Sequence, residues 1–309
     1  MNIVFFGTSD FALLPLERLL ESPHKVLAVV TRPDIKKGRF LKLSENPVKI
    51  FSKNNNIKIF QFEELGSGAF KALKGLETDL FVVVSYGKIL KKDFLEIPKY
   101  CSINLHGSLL PKYRGAAPIN WAIIKGEKLS GATVIKMSEK MDAGDTIMKA
   151  EVPIDDSDTS ITLARKISEA GTKILLGVCY EIASGKAINF APQDNNLATF
   201  APKLKKSDGL INWARAPLDI HNLVRGVQPW PGAFTPYKGK AIKIFKTEPL
   251  ENKGGSKTGE IISLGNSGIL VKCLKGAILI KELQLEGKKR MDSRDFLIGN
   301  KIKPGEMLG

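Results

Sequence analysis

The segment Asn104-Leu105-His106-Gly107 places an amide and an imidazole two residues apart. In an extended strand, residues two apart leave the same face, so Asn104 and His106 are predicted to converge. Gly107 then permits a turn that a larger residue would not make easily. Of the three histidines, only this one ends a predicted strand and opens a glycine-containing loop; the three are His24, His106 and His221.

A carboxylate partner must come from the end of a neighbouring strand. The segment Met141-Asp142-Ala143-Gly144-Asp145 follows a predicted strand, and on the residues alone both of its aspartates are candidates. The combination suits attack of an amine on a formyl carbon. An Asn amide can stabilise an oxyanion, while a His with a free pKa of about 6.5 can stabilise charge or relay the amine proton.

Alternating strands and helices are predicted to position these groups. Near-continuous apolar runs such as Leu80-Phe81-Val82-Val83-Val84 are typical of strands that are buried on both faces, with helices as crossovers. Helices are predicted at 11–21 and 159–183. The strands are predicted at 2–6, 26–31, 57–61, 80–85, 102–106 and 133–137. This pattern predicts a Rossmann-like α/β fold, an open and mostly parallel sheet.

The first turn of that sheet lacks the glycines of a dinucleotide site. It reads Gly7-Thr8-Ser9-Asp10-Phe11-Ala12, without the second and third glycines that allow close approach to a pyrophosphate. NAD binding is therefore not expected. The site should lie at the carboxyl ends of later strands.

The second half of the chain changes character after a polar, proline-containing segment. We predict a first domain at 1–189, a linker at 190–206 and a C-terminal domain at 207–309. Beyond a helical segment at 208–226, short strands are predicted at 241–245, 259–263, 269–272 and 277–283. They predict a small β-barrel (OB-like) domain, in which Trp213 and Trp230 are expected to be core residues.

Composition narrows the class of protein. The formal net charge of +15 favours encounter with polyanions such as nucleic acid, although a lysine-rich solvated surface would give the same number. No apolar stretch reaches the roughly 18 residues that a spanning helix needs, so no membrane is expected. Three widely spaced cysteines predict neither a disulfide framework nor a zinc site. These features favour a cytoplasmic protein without an export signal or a metal.

Two longer segments carry a resemblance. Asn104-Leu105-His106-Gly107-Ser108-Leu109-Leu110-Pro111, followed by Arg114-Gly115-Ala116-Ala117-Pro118-Ile119, resembles the signature of the folate-dependent formyltransferases. The resemblance implies that Asn104, His106 and Asp142 are catalytic. It also implies a donor, 10-formyltetrahydrofolate, whose site is lined by Ser108, Leu109, Leu110 and Pro111.

A second resemblance concerns the acceptor. The segment 31–43, with its basic residues, is similar to the loop that family members acting on methionyl-tRNA insert after the second strand. It implies contact of Arg39 and Lys42 with the acceptor stem, and Lys36 and Lys37 add possible phosphate contacts. The motifs Ile211-Asn212-Trp213 and Pro229-Trp230-Pro231-Gly232 also resemble those members. They imply a catalytic first domain, a tRNA-binding C-terminal domain and initiator methionyl-tRNA as the partner. Nothing in the sequence demands a dimer, so a monomer is expected.

Three alternatives remain open at the level of the sequence. An amino-sugar nucleotide formyltransferase would use the same centre without needing a basic loop. A hydrolase would release formate from the folate carrier to water. A noncatalytic RNA-binding protein is disfavoured because Asn104, His106 and Asp142 are all present.

Overall fold

The computed structural model describes residues 1–37, 42–251 and 257–309. The chain forms two compact units. The first unit comprises Met1–Pro118, Leu129–Pro153 and Ala164–Ala201, and the second comprises Ile119–Lys128, Ile154–Leu163 and Pro202–Gly309. The boundaries at 189 and 206 stay predictions.

The first unit is built on a seven-stranded sheet with the order β5-β2-β1-β6-β7-β8-β9. Its strands are β1 (Asn2–Gly7), β2 (Lys25–Thr31), β5 (Ile59–Gln61), β6 (Leu80–Val84), β7 (Cys101–His106), β8 (Leu129–Lys136) and β9 (Thr146–Pro153), and a separate hairpin pairs β3 (Ile35–Lys37) with β4 (Lys42–Ser44). The predicted Rossmann-like sheet is confirmed.

Pairing within this sheet changes direction at β7. The strands β5, β2, β1, β6 and β7 are parallel, whereas β8 runs antiparallel to β7 and to β9. The strand β9 was not predicted, because its alternating pattern leaves one face exposed and carries little apolar signal. The loop between β8 and β9 contains both candidate aspartates, so the hairpin returns them to the end of β7.

Helices connect or follow the strands of this sheet, and the first and last of them correspond to the two that were predicted at 11–21 and 159–183. The helices are α1 (Leu13–Leu20), α2 (Pro47–Asn54), α3 (Ser67–Lys74), α4 (Lys92–Leu95), α5 (Pro118–Ile124) and α6 (Ser160–Ala183). The strands β1 and β6 form the centre of the core, and all five side chains of β6 are buried. The rings of Phe6 and Phe81 lie 4.9 Å apart between their centroids. This rigid centre fixes the strand ends on which the site depends.

The second unit contains a six-stranded antiparallel sheet. Its elements are α7 (Pro217–Gly226), β10 (Ala233–Tyr237), β11 (Lys240–Leu250), β12 (Ile261–Gly265), β13 (Gly268–Cys273), β14 (Gly276–Leu285), β15 (Met291–Asp292) and α8 (Ser293–Gly299). Trp213 is confirmed as a core residue, and its indole nitrogen donates to Thr235 Oγ1 at 3.0 Å. The expectation was wrong for Trp230, which is 54% exposed because it lies in a turn between two prolines.

Candidate active site

The predicted amide and imidazole lie on β7, a central strand. Asn104 pairs with Val83 of β6 and with Ile135 of β8, and its side chain is half-buried. Within the described ranges, no residue hydrogen-bonds the Asn104 amide. His106 ends the strand and is buried. The Asn104 amide therefore has its donors available.

Two acceptors flank the ring of His106. Its Nε2 lies 3.0 Å from the carbonyl oxygen of Tyr113, and its Nδ1 lies 3.5 Å from Oδ1 of Asp142. A neutral imidazole has one N–H and can donate to only one of them, whereas the protonated ring can donate to both. The two contacts therefore fix the orientation of the ring.

Of the two candidate aspartates, it is Asp142 that the structure brings to His106. Its backbone has φ of +52°, which is uncommon for a residue other than glycine. Its Oδ2 accepts a hydrogen bond from the backbone nitrogen of Gly115 at 2.9 Å. The carbonyl oxygen of Asp145 accepts a hydrogen bond from Lys136 N at 2.9 Å. The Asp145 side chain makes no ion pair with any of the described residues.

Two glycines permit this approach. A Cβ at Gly144 would lie 1.8 Å from the carbonyl oxygen of Lys136, so the turn after Asp142 excludes any side chain there. Gly115 has φ of +123°, and a Cβ on it would lie 2.6 Å from the carbonyl oxygen of Ala201. Both positions require glycine because backbone atoms, which cannot give way, occupy the space.

Of the residues predicted to line the folate site, two hold the loop itself. Ser108 and Leu110 are buried. The Ser108 hydroxyl donates to Lys112 O at 2.6 Å, and the Leu110 backbone nitrogen donates to Thr133 Oγ1 at 3.1 Å. Leu109 and Pro111 are half-buried and retain exposed apolar surface. The role of these four residues in folate binding stays a prediction.

A second segment at the same edge of the sheet was missed by sequence reasoning. From β1 the chain crosses to β2 on one side, and from β6 it crosses to β7 on the opposite side. The topological switch point therefore lies between β1 and β6. There Ser9 donates to Ser85 at 2.7 Å and Thr8 to the carbonyl oxygen of Tyr86 at 3.0 Å. The buried Tyr86 hydroxyl has no hydrogen-bond partner in the described structure, and burial raises its pKa to about 12.

Sequence reasoning also missed Gln193, which it placed in a linker. The amide of Gln193 donates to the carbonyl oxygens of Asp142 and Gly144 and accepts from the guanidinium of Arg114. The backbone of the same segment pairs with the loop that follows β7, since Ala201 N donates to Arg114 O at 2.7 Å. Only the three-dimensional contacts reveal this role, because a single glutamine in a polar segment carries no pattern.

The basic loop has a well-fixed base. Asn46 Oδ1 accepts from Thr31 Oγ1 at 2.9 Å, and its Nδ2 donates to Arg32 O at 3.0 Å. Lys49 Nζ pairs with Asp34 at 2.5 Å, and this hydrogen bond lowers the pKa of the Asp34 carboxyl. Lys36, Lys37 and Lys42 lie on the hairpin strands, while Arg39 lies outside the described residues. Their contacts with tRNA stay predictions.

Two further features bear on ligands. Within residues 1–37, 42–251 and 257–309, no group of three or more His, Cys, Asp or Glu side chains is placed to hold a metal ion. No described helix has the length and hydropathy needed to cross a bilayer.

The chain has a Rossmann-like sheet with an amide, an imidazole and a carboxylate at its edge. Its sequence matches an enzyme family. The family model for formyl transferase matches residues 1–179, and the model for the formyl transferase C-terminal domain matches residues 203–301. The chain belongs to the formyl transferase family and is a transferase.

Relatives are similar over the whole chain. A methionyl-tRNA formyltransferase of Acetivibrio thermocellus is 43% identical over 311 residues, covering 100% of both chains. A protein of the same name from Citrifermentans bemidjiense is 43% identical over 310 residues, covering 100% of this chain and 96% of the relative.

Solved structures share the fold. The sugar 3N-formyl transferase WlaRD, crystallised with dTDP and 5-N-formyl-THF, has a TM-score of 0.68 and 21% identity, covering 94% of this chain and 99% of its own. HypX from Aquifex aeolicus in complex with tetrahydrofolic acid has a TM-score of 0.66 and 19% identity over 96% of this chain. This chain spans about half of HypX, 46% of its length.

Proposed function

We propose that this protein transfers a formyl group from 10-formyltetrahydrofolate to the α-amino group of initiator methionyl-tRNA. The observation that carries the proposal is the full-length likeness to relatives named methionyl-tRNA formyltransferase, at 43% identity. The convergence of Asn104, His106 and Asp142 supports it, because these groups suit acyl transfer to an amine.

The reaction is a direct transfer. The amine nitrogen bonds to the formyl carbon, the bond from that carbon to the carrier nitrogen breaks, and the amine loses one proton while the carrier nitrogen gains one. The folate carrier supplies the formyl carbon as the electrophile. Asn104, whose amide has no protein partner in the described ranges, donates to the formyl oxygen as negative charge develops on it.

His106 acts beside it. Both ring nitrogens face protein acceptors, so Nε2 must exchange the Tyr113 carbonyl for the reacting groups when the substrates bind. Such rearrangement is common, since catalytic hydrogen bonds tighten only in the substrate complex. Asp142 orients the ring through Nδ1, which allows His106 to stabilise the oxyanion or relay the proton.

The residues at the sheet edge fit a folate. At the switch point between β1 and β6, Ser85 and Gly87 are exposed on either side of the buried Tyr86. A heterocycle with several donors and acceptors can bind the polar groups of these exposed residues, while Leu109 and Pro111 offer apolar surface to its rings. We therefore place the donor between the β6 turn and the loop that follows β7.

The acceptor is recognised by charge as well as by chemistry. The loop bearing Lys36, Lys37, Arg39 and Lys42, which sequence reasoning assigns to the acceptor stem, begins from the base that Asn46 fixes. A net charge of +15 favours tRNA phosphates over a small neutral acceptor. Because charged initiator tRNA is used where proteins are made, we place the enzyme in the cytoplasm, acting as a monomer.

The test is an acceptor panel. Labelled formyl transfer from 10-formyltetrahydrofolate is measured with methionyl-tRNA, uncharged initiator tRNA, free methionine and an amino-sugar nucleotide. Formylation of the charged tRNA alone supports the proposal. Formylation of the sugar nucleotide, or release of formate without an acceptor, would replace it by one of the two enzymatic alternatives.

A further inference from the structure

The side chain of Gln193 connects a buried cation to the loop that carries Asp142. Its Nε2 donates to the carbonyl oxygens of Asp142 at 2.9 Å and of Gly144 at 2.7 Å. Its Oε1 accepts from Arg114 Nε at 3.1 Å and from a terminal nitrogen of the same guanidinium at 2.8 Å. One amide thus uses both of its ends within a single network.

The chemistry of the partners fixes the orientation of that amide. Two carbonyl oxygens can only accept, and a guanidinium can only donate. Turning the amide over would oppose acceptors to acceptors and donors to donors at all four contacts. Arg114 is 7% exposed and has no carboxylate within ion-pair distance among the described residues, so the amide oxygens of Gln193 and Asn195 are its side-chain acceptors there. The position of Gln193 is therefore strongly determined.

The loop needs such a restraint. Asp142 has φ of +52°, a conformation that an aspartate persists in only where its surroundings hold it. Its carboxylate divides between Gly115 N and the ring of His106, while Gln193 holds its carbonyl oxygen. Without the amide, the carbonyl oxygens of Asp142 and Gly144 lose their side-chain donor, and the turn that aims the carboxylate at His106 is held less firmly.

We propose that Gln193 is a positioning residue that holds Asp142 in register with His106 for formyl transfer. The inference rests on the proposed function and adds a residue outside the signature segment. Arg114 supports this role because it fixes the orientation of the Gln193 amide. Because misplacing a catalytic group by about 1 Å can cost about 100-fold in rate, loss of this contact should lower kcat strongly.

Three variants separate the two halves of the contact. Gln193→Ala removes both, and Gln193→Glu keeps acceptors for Arg114 but loses the donors to the carbonyl oxygens. Asn195→Ala is the matched control, because it removes one hydrogen bond from Arg114 and leaves the Gln193 amide in place. We expect kcat to fall about 10- to 100-fold in both Gln193 variants, with KM for methionyl-tRNA within about threefold, and near-normal kinetics for Asn195→Ala.

The Asp142→Asn background tests whether Gln193 acts through Asp142. In that background, adding Gln193→Ala should lower kcat by less than about a further threefold. A residue with an independent role would lower kcat by the same factor as it does in the wild-type background. Normal kcat in Gln193→Ala, or a fully multiplicative double variant, would overturn the inference.

A substrate-independent readout keeps this result separate from the proposed function. The C2–H proton resonance of His106, assigned with His106→Asn, should move in Gln193→Ala and stay in place in Asn195→Ala. An unmoved resonance in Gln193→Ala contradicts the positioning role whichever acceptor the enzyme uses. If wild-type enzyme leaves methionyl-tRNA unformylated, the proposed function fails on that measurement alone.

Discussion

His106 and Asp142 are both oriented by one short loop. The carbonyl oxygen of Tyr113 contacts Nε2 of His106 at 3.0 Å, and two residues later the backbone nitrogen of Gly115 donates to Oδ2 of Asp142 at 2.9 Å. The loop that follows β7 therefore sets the imidazole and the carboxylate together. This explains why the signature segment extends beyond the residues that we propose to react.

Substitutions of the three proposed catalytic residues can be compared with a substitution of Asp145, a neighbouring aspartate. Asn104→Ala should lower the single-turnover rate about 100- to 1,000-fold, as loss of an oxyanion donor does in other enzymes. His106→Ala and Asp142→Asn should each lower it about 100-fold or more. Asp145→Asn is the control and should stay within about threefold. Near-normal rates in all three test variants would remove these residues from the mechanism.

The turn after Asp142 should not tolerate a side chain. In Gly144→Ala the new Cβ would lie 1.8 Å from the carbonyl oxygen of Lys136, so the hairpin must shift and take Asp142 with it. We expect a lower Tm and a large fall in kcat. Gly177→Ala in α6 is the control, since nothing lies within 4 Å, and it should stabilise the protein by about 0.5–1 kcal/mol. Equal effects of both substitutions would contradict the described packing.

Salt should distinguish a tRNA acceptor from a small nucleotide. Each phosphate that a lysine or arginine neutralises adds roughly 0.9 to the slope of log affinity against log salt. Arg39→Ala with Lys42→Ala should therefore weaken binding of methionyl-tRNA and flatten this slope. Lys71→Ala with Lys74→Ala removes the same charge from the exposed face of α3 and should leave the slope nearly unchanged. Similar slopes for both double variants would mean that net charge, not the loop, attracts tRNA.

Stability should fall as the pH drops below about 6.5, partly because of His221. Burial and the nearby Arg225 lower the pKa of this histidine in the folded protein, although Asp156 and Thr247 oppose the shift. The unfolded chain then binds the proton first, so stability is lost as the pH falls from the ordinary His value towards the lowered one. His221→Gln should reduce the difference in unfolding free energy between pH 7.5 and 5.5, measured with urea. If the difference stayed unchanged, the pH dependence would arise from other groups. The first of these to test is His24, whose pKa is also lowered by burial.

The sequence predicted those parts of the fold and site that leave a local pattern. Buried runs such as Leu80–Val84 predicted the central strands, and Asn104 and His106, two candidate site residues, were correctly predicted to lie on one strand. The residues alone left Asp142 and Asp145 as alternatives, and only the resemblance selected Asp142. The direction in which this loop presents a carboxylate depends on a contact with the backbone of Gly115, which lies in another segment.

Other parts depend on contacts between distant segments. Gln193 lies 51 residues from Asp142 along the chain, and Ser85 lies 76 from Ser9. No periodicity links such pairs. They become visible only once the strands are ordered, which is why a polar segment that reads as a linker also supports the site.

The most direct test of the account is a competition in one tube. Limiting 10-formyltetrahydrofolate with a labelled formyl group is offered to equal concentrations of initiator methionyl-tRNA and an amino-sugar nucleotide, and label is counted in both products and in free formate. The account predicts that nearly all of the label joins the α-amine of the methionyl-tRNA. Label found mainly in the sugar nucleotide or in formate would contradict it.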